Sequence, residues 1–206
     1  MTFPDQLFSD IGSYCDEYGR QYSAAFASID RSALAAAVLL LSETFAADKT
    51  LYCCGNGGST AIANHLLCDF AKGIQTDTQQ RPKVVSLSSC TEIITAIAND
   101  MCYEDVFLFQ FKTAARPGDL LLTISSSGDS ENVVRAVQWA KDNDIRSIAL
   151  TGFDGGRSAS LATVNLHVQG DNYGVVEDCH QAIMHMLSQY LRLASMPESL
   201  ITQRKF

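Results

Sequence analysis

Two segments of the sequence hold histidines and carboxylates at the spacing of one helical turn. His65 and Asp69 are four residues apart, and Glu177, Gln181 and His185 follow one another at steps of four. On a helix, residues at this spacing project from one face. If the two helices meet, two imidazoles and two carboxylates come together, a set that suits a divalent metal such as zinc. The predicted ligands are His65, Asp69, Glu177 and His185.

The same histidines also have an ordinary interpretation. A lone histidine on a helix is usually a partly buried side chain, and a His–Asp pair four residues apart is often a surface pair. Of the two remaining histidines, His167 lies in an apolar run typical of a strand and is predicted to be structural. His180 is three residues from Glu177 and is a candidate to support the site or a subunit interface.

A glycine-rich turn follows the short apolar run in LYCCGNGGST, and its residues are Asn56, Gly57, Gly58 and Ser59. Glycines let a backbone approach an anion, and the helix that follows offers free N–H groups. The turn lacks the Gly-Lys-Ser/Thr of a Walker A loop and does not spell G-x-G-x-x-G. By itself it predicts a plain strand-to-helix turn as readily as a ligand site.

A second turn, ISSSGDSENV, holds four serines, which are Ser125, Ser126, Ser127 and Ser130. Hydroxyls and amides without a lysine make a neutral cradle that suits a phosphate monoester. The alternative is a serine-rich helix cap, with Ser127 or Asp129 as the capping residue and Glu131 in the first turn. Capping accounts for one serine, and not for four.

Two further loops carry weaker signals. Asn99 and Asp100 end the segment TAIAND and form a polar pair suited either to sugar hydroxyls or to capping. The glycine-rich segment TGFDGGRSA is predicted to be a structural turn, with no chemistry assigned.

Short apolar runs alternate with helical patterns from residue 50 onward. The predicted strands are TLYCC, KVVSLS, DLLLTIS, SIALTG and VNLHV. The helices between them include a continuous one over GSTAIANHLLCDFAKG, one over YEDVFLFQFKTAA and a last long one over VVEDCHQAIMHMLSQYLRLA. Apolar strands separated by helices indicate a parallel sheet covered on both faces. The predicted fold is α/β, a doubly wound three-layer sandwich around a five-stranded parallel sheet, with ligands outside the carboxyl ends of the strands.

The first 47 residues contain no strand pattern and are predicted to form an N-terminal helical extension. The segment DRSALAAAVLLLSETFAAD reads as a helix with Asp30 as its N-cap and an unusually broad apolar face. We infer that this helix covers a partner subunit as well as its own sheet. Residues 48–195 form the α/β domain, and residues 196–206 are a tail that is either an ordered arm or frayed.

Charge and composition exclude several classes of partner. A net charge of -8 argues against a nucleic-acid surface, which would need a basic patch. The start MTFPDQLFSD lacks the pattern of a signal peptide, and the longest apolar run, ALAAAVLLL, is too short to span a bilayer. Seven cysteines with no C-x-x-C fit reduced thiols. We therefore expect a cytoplasmic protein with no nucleic-acid or membrane partner.

Five motifs occur in the order seen in the sugar isomerase (SIS) superfamily. They are CGNGGSTAIANHLLCDF, AIAND, ISSSGDSENVVRAV, ALTGFDGG and VVEDCHQAIMHML. The chain resembles most the phosphoheptose isomerase branch of that superfamily, over roughly residues 30 to 195.

The resemblance implies a homotetramer with active sites between subunits, residues 1–47 serving in assembly and residues 48–195 forming the SIS domain. It implies that the sugar phosphate binds at the serine turn, and that the sugar contacts Glu177, the pair Asn99–Asp100 and the glycine turn from Asn56 to Ser59. It further implies that the four predicted metal ligands hold one zinc ion per subunit. Among them, Asp69 is expected to be the catalytic base and His185 the acid.

Two residues depart from the family pattern. The family has glutamate at the position of Asp69 and glutamine at the position of Glu177. The carboxylate at residue 69 is therefore a methylene shorter, and Glu177 adds a negative charge that should favour a cation.

The implied activity is the aldose–ketose isomerisation of a phosphorylated sugar, sedoheptulose 7-phosphate to D-glycero-D-manno-heptose 7-phosphate. One alternative is a non-catalytic sugar-phosphate sensor or protein-binding regulator. A bacterial replication-initiation regulator shares the CCGNG and TAIAND segments but lacks the carboxylate that Asp69 supplies, which favours an enzyme here. The other alternative is an isomerase of a pentose or hexose phosphate.

Overall fold

Five parallel strands form a single sheet in the computed structural model, which describes residues 3–206. The strands are β1 Thr50–Gly55, β2 Lys83–Ser86, β3 Leu120–Ser125, β4 Arg146–Thr151 and β5 Val164–His167. Their order across the sheet is β2-β1-β3-β4-β5, and every neighbouring pair is parallel. The chain order reverses beside β1, so a ligand crevice is expected outside the carboxyl ends of β1 and β3. The predicted sandwich is confirmed.

The helices lie on both faces of this sheet. They are α1 Ile11–Ala27, α2 Arg31–Ala46, α3 Gly58–Cys68, α4 Thr91–Asp100, α5 Val106–Ala114, α6 Glu131–Asp142, α7 Gly156–Leu161, α8 Tyr173–Ser195 and α9 Glu198–Ile201. The predicted cap of α2 is confirmed, because the Asp30 carboxylate accepts a hydrogen bond from the backbone N–H of Ser32 at 2.7 Å.

Alternation along β1 divides the core into two layers. Leu51 and Cys53 face the cluster built by α1, α2, α3 and α8, whereas Tyr52 and Cys54 face the cluster built by α4, α5 and α6. Both cysteines are fully buried, and burial raises the pKa of the Cys53 thiol to about 12. These two thiols therefore act as small apolar core residues.

Three predicted elements differ in the structure. The helix expected to run unbroken from Gly58 to Gly73 is α-helical only to Cys68 and continues as a π-helical turn, Asp69–Gly73. The helix predicted from residue 103 begins with a 3-10 turn, Tyr103–Asp105, before α5. The glycine-rich segment after β4 contains the short helix α7. The first two differences arise at the ends of helices, where helix type and bounds vary by a few residues. The third is a separate helix of six residues in a segment predicted to be a turn.

The C-terminal tail is an ordered arm that folds back on α8. The Arg204 guanidinium lies 3.0 Å from the Asp77 carboxylate, and the Arg192 guanidinium lies 4.8 Å from the centre of the Phe206 ring.

Within residues 3–206 no single helix is long and apolar enough to cross a membrane; only α1 and α2 taken together, bent by 66°, reach that length and composition.

His180 lies in the core on α8, facing the sheet. Its side chain is fully buried, and in the described part of the chain neither ring nitrogen makes a hydrogen bond of good geometry. Burial lowers the pKa of His180 to about 4, although the nearby Thr151 backbone favours the protonated form. The imidazole is therefore neutral in the folded state at physiological pH.

Because the folded state resists protonation of His180 while the unfolded chain accepts a proton below about pH 6.5, stability falls as pH drops from that value toward 4. We expect the wild type to lose about 2 kcal/mol of unfolding free energy between about pH 7 and pH 5 through this group alone. His180→Leu lacks the titrating imidazole, so its unfolding free energy should fall by about 2 kcal/mol less than that of wild type between about pH 7 and pH 5. Urea denaturation at both pH values measures this difference. An equal loss in wild type and variant would contradict this role of His180.

Candidate active site

Apart from Asn99 and Asp100 on α4, the predicted site residues are carried by the loops that follow β1 and β3, by α3 with its π-helical turn, and by α8. α3 begins directly after the glycine turn, and α8 packs against α3 along its length. The starts of both helices lie at the carboxyl ends of the strands, where a doubly wound sheet leaves a crevice, and Ser59 and Glu177 line the pocket there.

The Asp69 carboxylate lies between two imidazoles. One carboxylate oxygen is 3.4 Å from His65 Nε2, and the other is 3.7 Å from His185 Nε2. The two imidazole rings stand edge to face, with centroids 5.1 Å apart. The structure therefore brings together three of the four predicted ligands, the first two from α3 and its π-helical turn and the third from α8.

Gln181 joins the two histidines from the other side. Its side-chain nitrogen lies 3.0 Å from His65 Nδ1 and 3.0 Å from His185 Nε2. With the amide assigned as the donor, the nitrogen of each ring that faces Gln181 accepts. Gln181 shares the helical face of His185, yet its sequence spacing gave no sign that it would hold both rings.

This donor set fits a divalent metal. One nitrogen from each imidazole and one oxygen of Asp69 all lie within 4.8 Å of one another. Two imidazoles and one carboxylate are a known zinc set that leaves a further coordination position open. Ligation through His185 Nε2 would compete with Gln181 for the same lone pair.

Glu177 lies outside this group of three. It precedes His185 by eight residues, which is about 12 Å along a helix. Its carboxylate lies against Gly58, so closely that a Cβ atom there would overlap it. Burial raises the pKa of Glu177, and the charge of Asp178 adds to the shift. Its role as a fourth metal ligand stays a prediction.

The serine turn forms a small pocket of about 120 Å³ beside the glycine turn. This volume equals that of about four water molecules in the liquid, which is the scale of one phosphate group. Its lining residues are Asn56, Ser59, Ile124, Ser125, Ser126, Ser127, Ser130, Tyr173 and Glu177. No lysine or arginine is among these lining residues, so the pocket supplies hydroxyls, amides and the Glu177 carboxylate, and no cation.

Two features of the pocket favour an anion. The N-termini of α3 and α6 both begin at its wall, where backbone N–H groups and helix dipoles attract negative charge. The Ser126 hydroxyl is buried and has no hydrogen-bond partner within residues 3–206. Such a buried hydroxyl needs a partner, and a ligand oxygen can supply one.

The capping alternative explains little of the serine turn. Ser130 is the N-cap residue of α6, and its side chain makes no capping hydrogen bond. Ser127 accepts a hydrogen bond from the Asp129 N–H at 3.2 Å, which is a local turn contact. The other serine hydroxyls of the pocket are not used as caps.

Asn56 is held by two residues that sequence patterns did not single out. Its amide exchanges hydrogen bonds with the amide of Asn132 at 2.8 and 3.0 Å, and its oxygen accepts from the Tyr103 hydroxyl at 3.0 Å. By contrast, Asn99 and Asp100 are exposed at the end of α4 and bond to each other at 2.8 Å. They are not lining residues of the serine pocket, so their contact with a sugar stays a prediction.

The segment after β4 makes backbone hydrogen bonds to the serine turn. The Ser158 N–H donates to the Gly128 carbonyl, and the Gly152 N–H donates to the Ser126 carbonyl, both at 2.9 Å. A Cβ atom at Gly128 would overlap the backbone of Gly155, so this approach requires glycine. The predicted structural turn therefore has a definite task, which is to hold the serine turn in place.

Known proteins share this fold and these motifs. The SIS domain family model matches residues 13–152. The phosphoheptose isomerase of Geotalea daltonii is 37% identical over 158 residues, which are 77% of this chain and 82% of that protein. The solved phosphoheptose isomerase of Neisseria gonorrhoeae superposes with a TM-score of 0.79 at 30% identity, covering 88% of this chain and 96% of that one. The corresponding structure from Francisella tularensis gives a TM-score of 0.80 at 28% identity, covering 91% and 100%.

These matches define the chain as a member of a class of sugar-isomerase folds. The chain belongs to the SIS domain family and, within it, to the phosphoheptose isomerases. The family predicted from the sequence motifs is confirmed.

Two amide substitutions separate the roles of Asp69 and Glu177. Asp69→Asn should weaken Zn²⁺ binding at least about tenfold, because it removes the charged ligand between the imidazoles. Glu177→Gln, the matched control, should keep the affinity within about threefold, because its carboxylate lies outside the group. Isothermal titration of the metal-stripped proteins with Zn²⁺ measures both. Equal losses in the two variants would contradict the three-residue set.

Proposed function

We propose that this chain interconverts sedoheptulose 7-phosphate and D-glycero-D-manno-heptose 7-phosphate, an aldose–ketose isomerisation. The observation that carries the proposal is that α3 and α8 each reach both halves of the site. Ser59 and Glu177 line the serine pocket, whereas Asp69 and His185 lie together further along the same elements. One substrate can therefore have its phosphate in the pocket and its carbonyl end at the Asp69 carboxylate.

The separation of the two halves favours a long substrate. Ser59 and Asp69 are ten residues apart along α3 and its π-helical turn, a rise of about 15 Å, and Glu177 and His185 are eight apart on α8, a rise of about 12 Å. An extended heptulose with its phosphate ester, built from bonds of about 1.5 Å, reaches about 10 Å. A pentose phosphate is two carbons shorter and would leave one half of the site without a contact.

Binding at the pocket would use neutral donors. Hydroxyls of Ser125, Ser126, Ser127 and Ser130, together with the N–H groups at the starts of α3 and α6, surround the phosphate oxygens. The turn from Asn56 to Ser59 lines the sugar, with Glu177 facing its hydroxyls. The pair Asn99 and Asp100 completes the predicted contacts.

The position of Asp69 between two imidazoles supports its assignment as the proton carrier between C1 and C2. Asp69 takes the proton from C1 of the ketose and returns it to C2, through an enediol. His185 donates a proton to O2 as the enediol forms and takes the O1 proton as the aldehyde forms, so both side chains end unchanged. A zinc ion held by His65, Asp69 and His185 would supply positive charge near the two sugar oxygens.

Assembly is part of the same proposal. We propose a cytoplasmic homotetramer in which residues 1–47 help to join subunits and the active sites lie at the interfaces. Large apolar side chains on α1, α2 and α8 are exposed in the single chain, which supports burial by a partner. They include Ile11, Leu39, Tyr190 and Leu193.

Turnover of a series of ketose phosphates with five to seven carbons tests the proposal. Wild type should convert the seven-carbon substrate fastest, and Asp69→Asn or His185→Ala should lower kcat at least about 100-fold with a small change in KM, because each removes a proton carrier and leaves the phosphate pocket intact.

The matched control is Asp142→Asn on α6, which removes a carboxylate away from the site and should leave kcat unchanged. Each assay is repeated with a chelator, which reports whether the metal takes part. Wild-type binding of phosphate esters without turnover, or full activity in Asp69→Asn, would contradict the proposal.

A further inference from the structure

Arg157, the second residue of α7, forms ion pairs with two acidic residues at the start of α6. Its Nε lies 2.5 Å from the Asp129 carboxylate, and its Nη1 lies 2.8 Å from the Glu131 carboxylate. Its Nη2 also donates to the Asp129 carbonyl at 3.2 Å. One guanidinium therefore holds both acidic residues that flank Ser130.

These two carboxylates pose an electrostatic problem for the proposed phosphate site. Asp129 and Glu131 are the immediate chain neighbours of Ser130, which lines the pocket. A phosphate dianion close to two uncompensated carboxylates is repelled, and no lysine or arginine lines the pocket to offset this. The Glu177 carboxylate already lines the pocket without an ion-pair partner among residues 3–206, so a cation just outside the pocket is needed to keep Asp129 and Glu131 from adding to its charge.

The two carboxylates are not equally dependent on Arg157. Glu131 has a second partner, because its other oxygen lies 2.9 Å from Arg135 Nε. Among the ion pairs of residues 3–206, Asp129 pairs with Arg157 alone. Loss of Arg157 would therefore leave the Asp129 carboxylate without a counter-charge, in addition to the Glu177 carboxylate that lines the pocket.

We propose that Arg157 is a positioning residue for phosphate recognition, which neutralises Asp129 and holds it away from the pocket so that the serine turn accepts a dianion. The inference rests on the proposed phosphate role of the serine turn. The turn itself is fixed independently by the backbone contacts of Gly128 and Ser126 with the loop after β4. Removing the guanidinium should therefore change the charge of the cradle without unfolding it.

A double-mutant cycle measures this effect directly, with inorganic phosphate as the probe and phosphorus NMR titration as the readout. Arg157→Gln should weaken phosphate binding at least about threefold, and the double variant Arg157→Gln with Asp129→Asn should return to within about twofold of wild type. Arg157→Lys, which keeps the charge, should bind as wild type does. The loss in Arg157→Gln should shrink in about 0.5 M salt, because the pair is solvent-exposed.

Arg146→Gln is the matched control. Arg146 also pairs with a single carboxylate, Glu43, but at the amino end of β4, away from the pocket. Its loss should leave phosphate affinity unchanged. In turnover assays Arg157→Gln should raise KM for the sugar phosphate and leave kcat within about twofold.

Three results would overturn the inference. They are unchanged phosphate affinity in Arg157→Gln, a double variant as weak as the single one, and an Arg157→Lys variant that binds as weakly as Arg157→Gln. Wild type that binds phosphate in this pattern but does not turn over sugar phosphates would refute the proposed reaction and leave the role of Arg157 standing. Wild type that does not bind phosphate would refute both.

Discussion

The contact of one carboxylate with two imidazoles is the interaction on which the rest of the site depends. Asp69 and His65 come from one helical segment, and His185 comes from α8, so the contact exists only where α3 and α8 pack together. The π-helical turn begins at Asp69 itself. Such turns widen the helix locally and often occur at functional positions. Here the widening starts at the residue to which the proposed chemistry assigns the base.

The two halves of the site suit charges of opposite sign. The carboxylate and imidazoles gather negative charge and lone pairs, which suit a cation and proton transfer. The serine pocket offers hydroxyls and two helix N-termini, which suit an anion. Glu177 and the Asp129–Arg157 pair lie near this second half, so small changes in local charge there should act mainly on substrate affinity. Separation of the halves along α3 and α8 allows one chain to hold both.

Local sequence signals were sufficient for the sheet and for part of the site. Apolar runs gave all five strands, and the spacing of His65 and Asp69 placed them on one face because the contact is within one helical turn. Periodicity placed Glu177 on the same helical face as His185 but took no account of the distance of about 12 Å, two helical turns, between them. The result is that Glu177 lies against Gly58 and outside the group of three.

Contacts between distant segments were beyond such reasoning. Gln181 bonds to His65 across 116 residues, and Tyr103 bonds to Asn56 across 47 residues. The pairing of Arg157 with Asp129 depends on the glycine contacts that bring two loops together. None of these leaves a periodic or motif signal, because each depends on the packed arrangement of the sheet and its loops.

The central claim is that one sugar phosphate spans the serine pocket and the Asp69 carboxylate. The most direct measurement is a crystal structure of Asp69→Asn, which should bind without turning over, soaked with sedoheptulose 7-phosphate. We expect phosphate oxygens about 3 Å from the serine hydroxyls, and C1 and C2 about 3 to 3.5 Å from the side chains of residue 69 and His185. Phosphate bound away from the serine turn, in the cavity of about 600 Å³ that Lys72 and Arg192 line on another side of Asp69, would contradict the account.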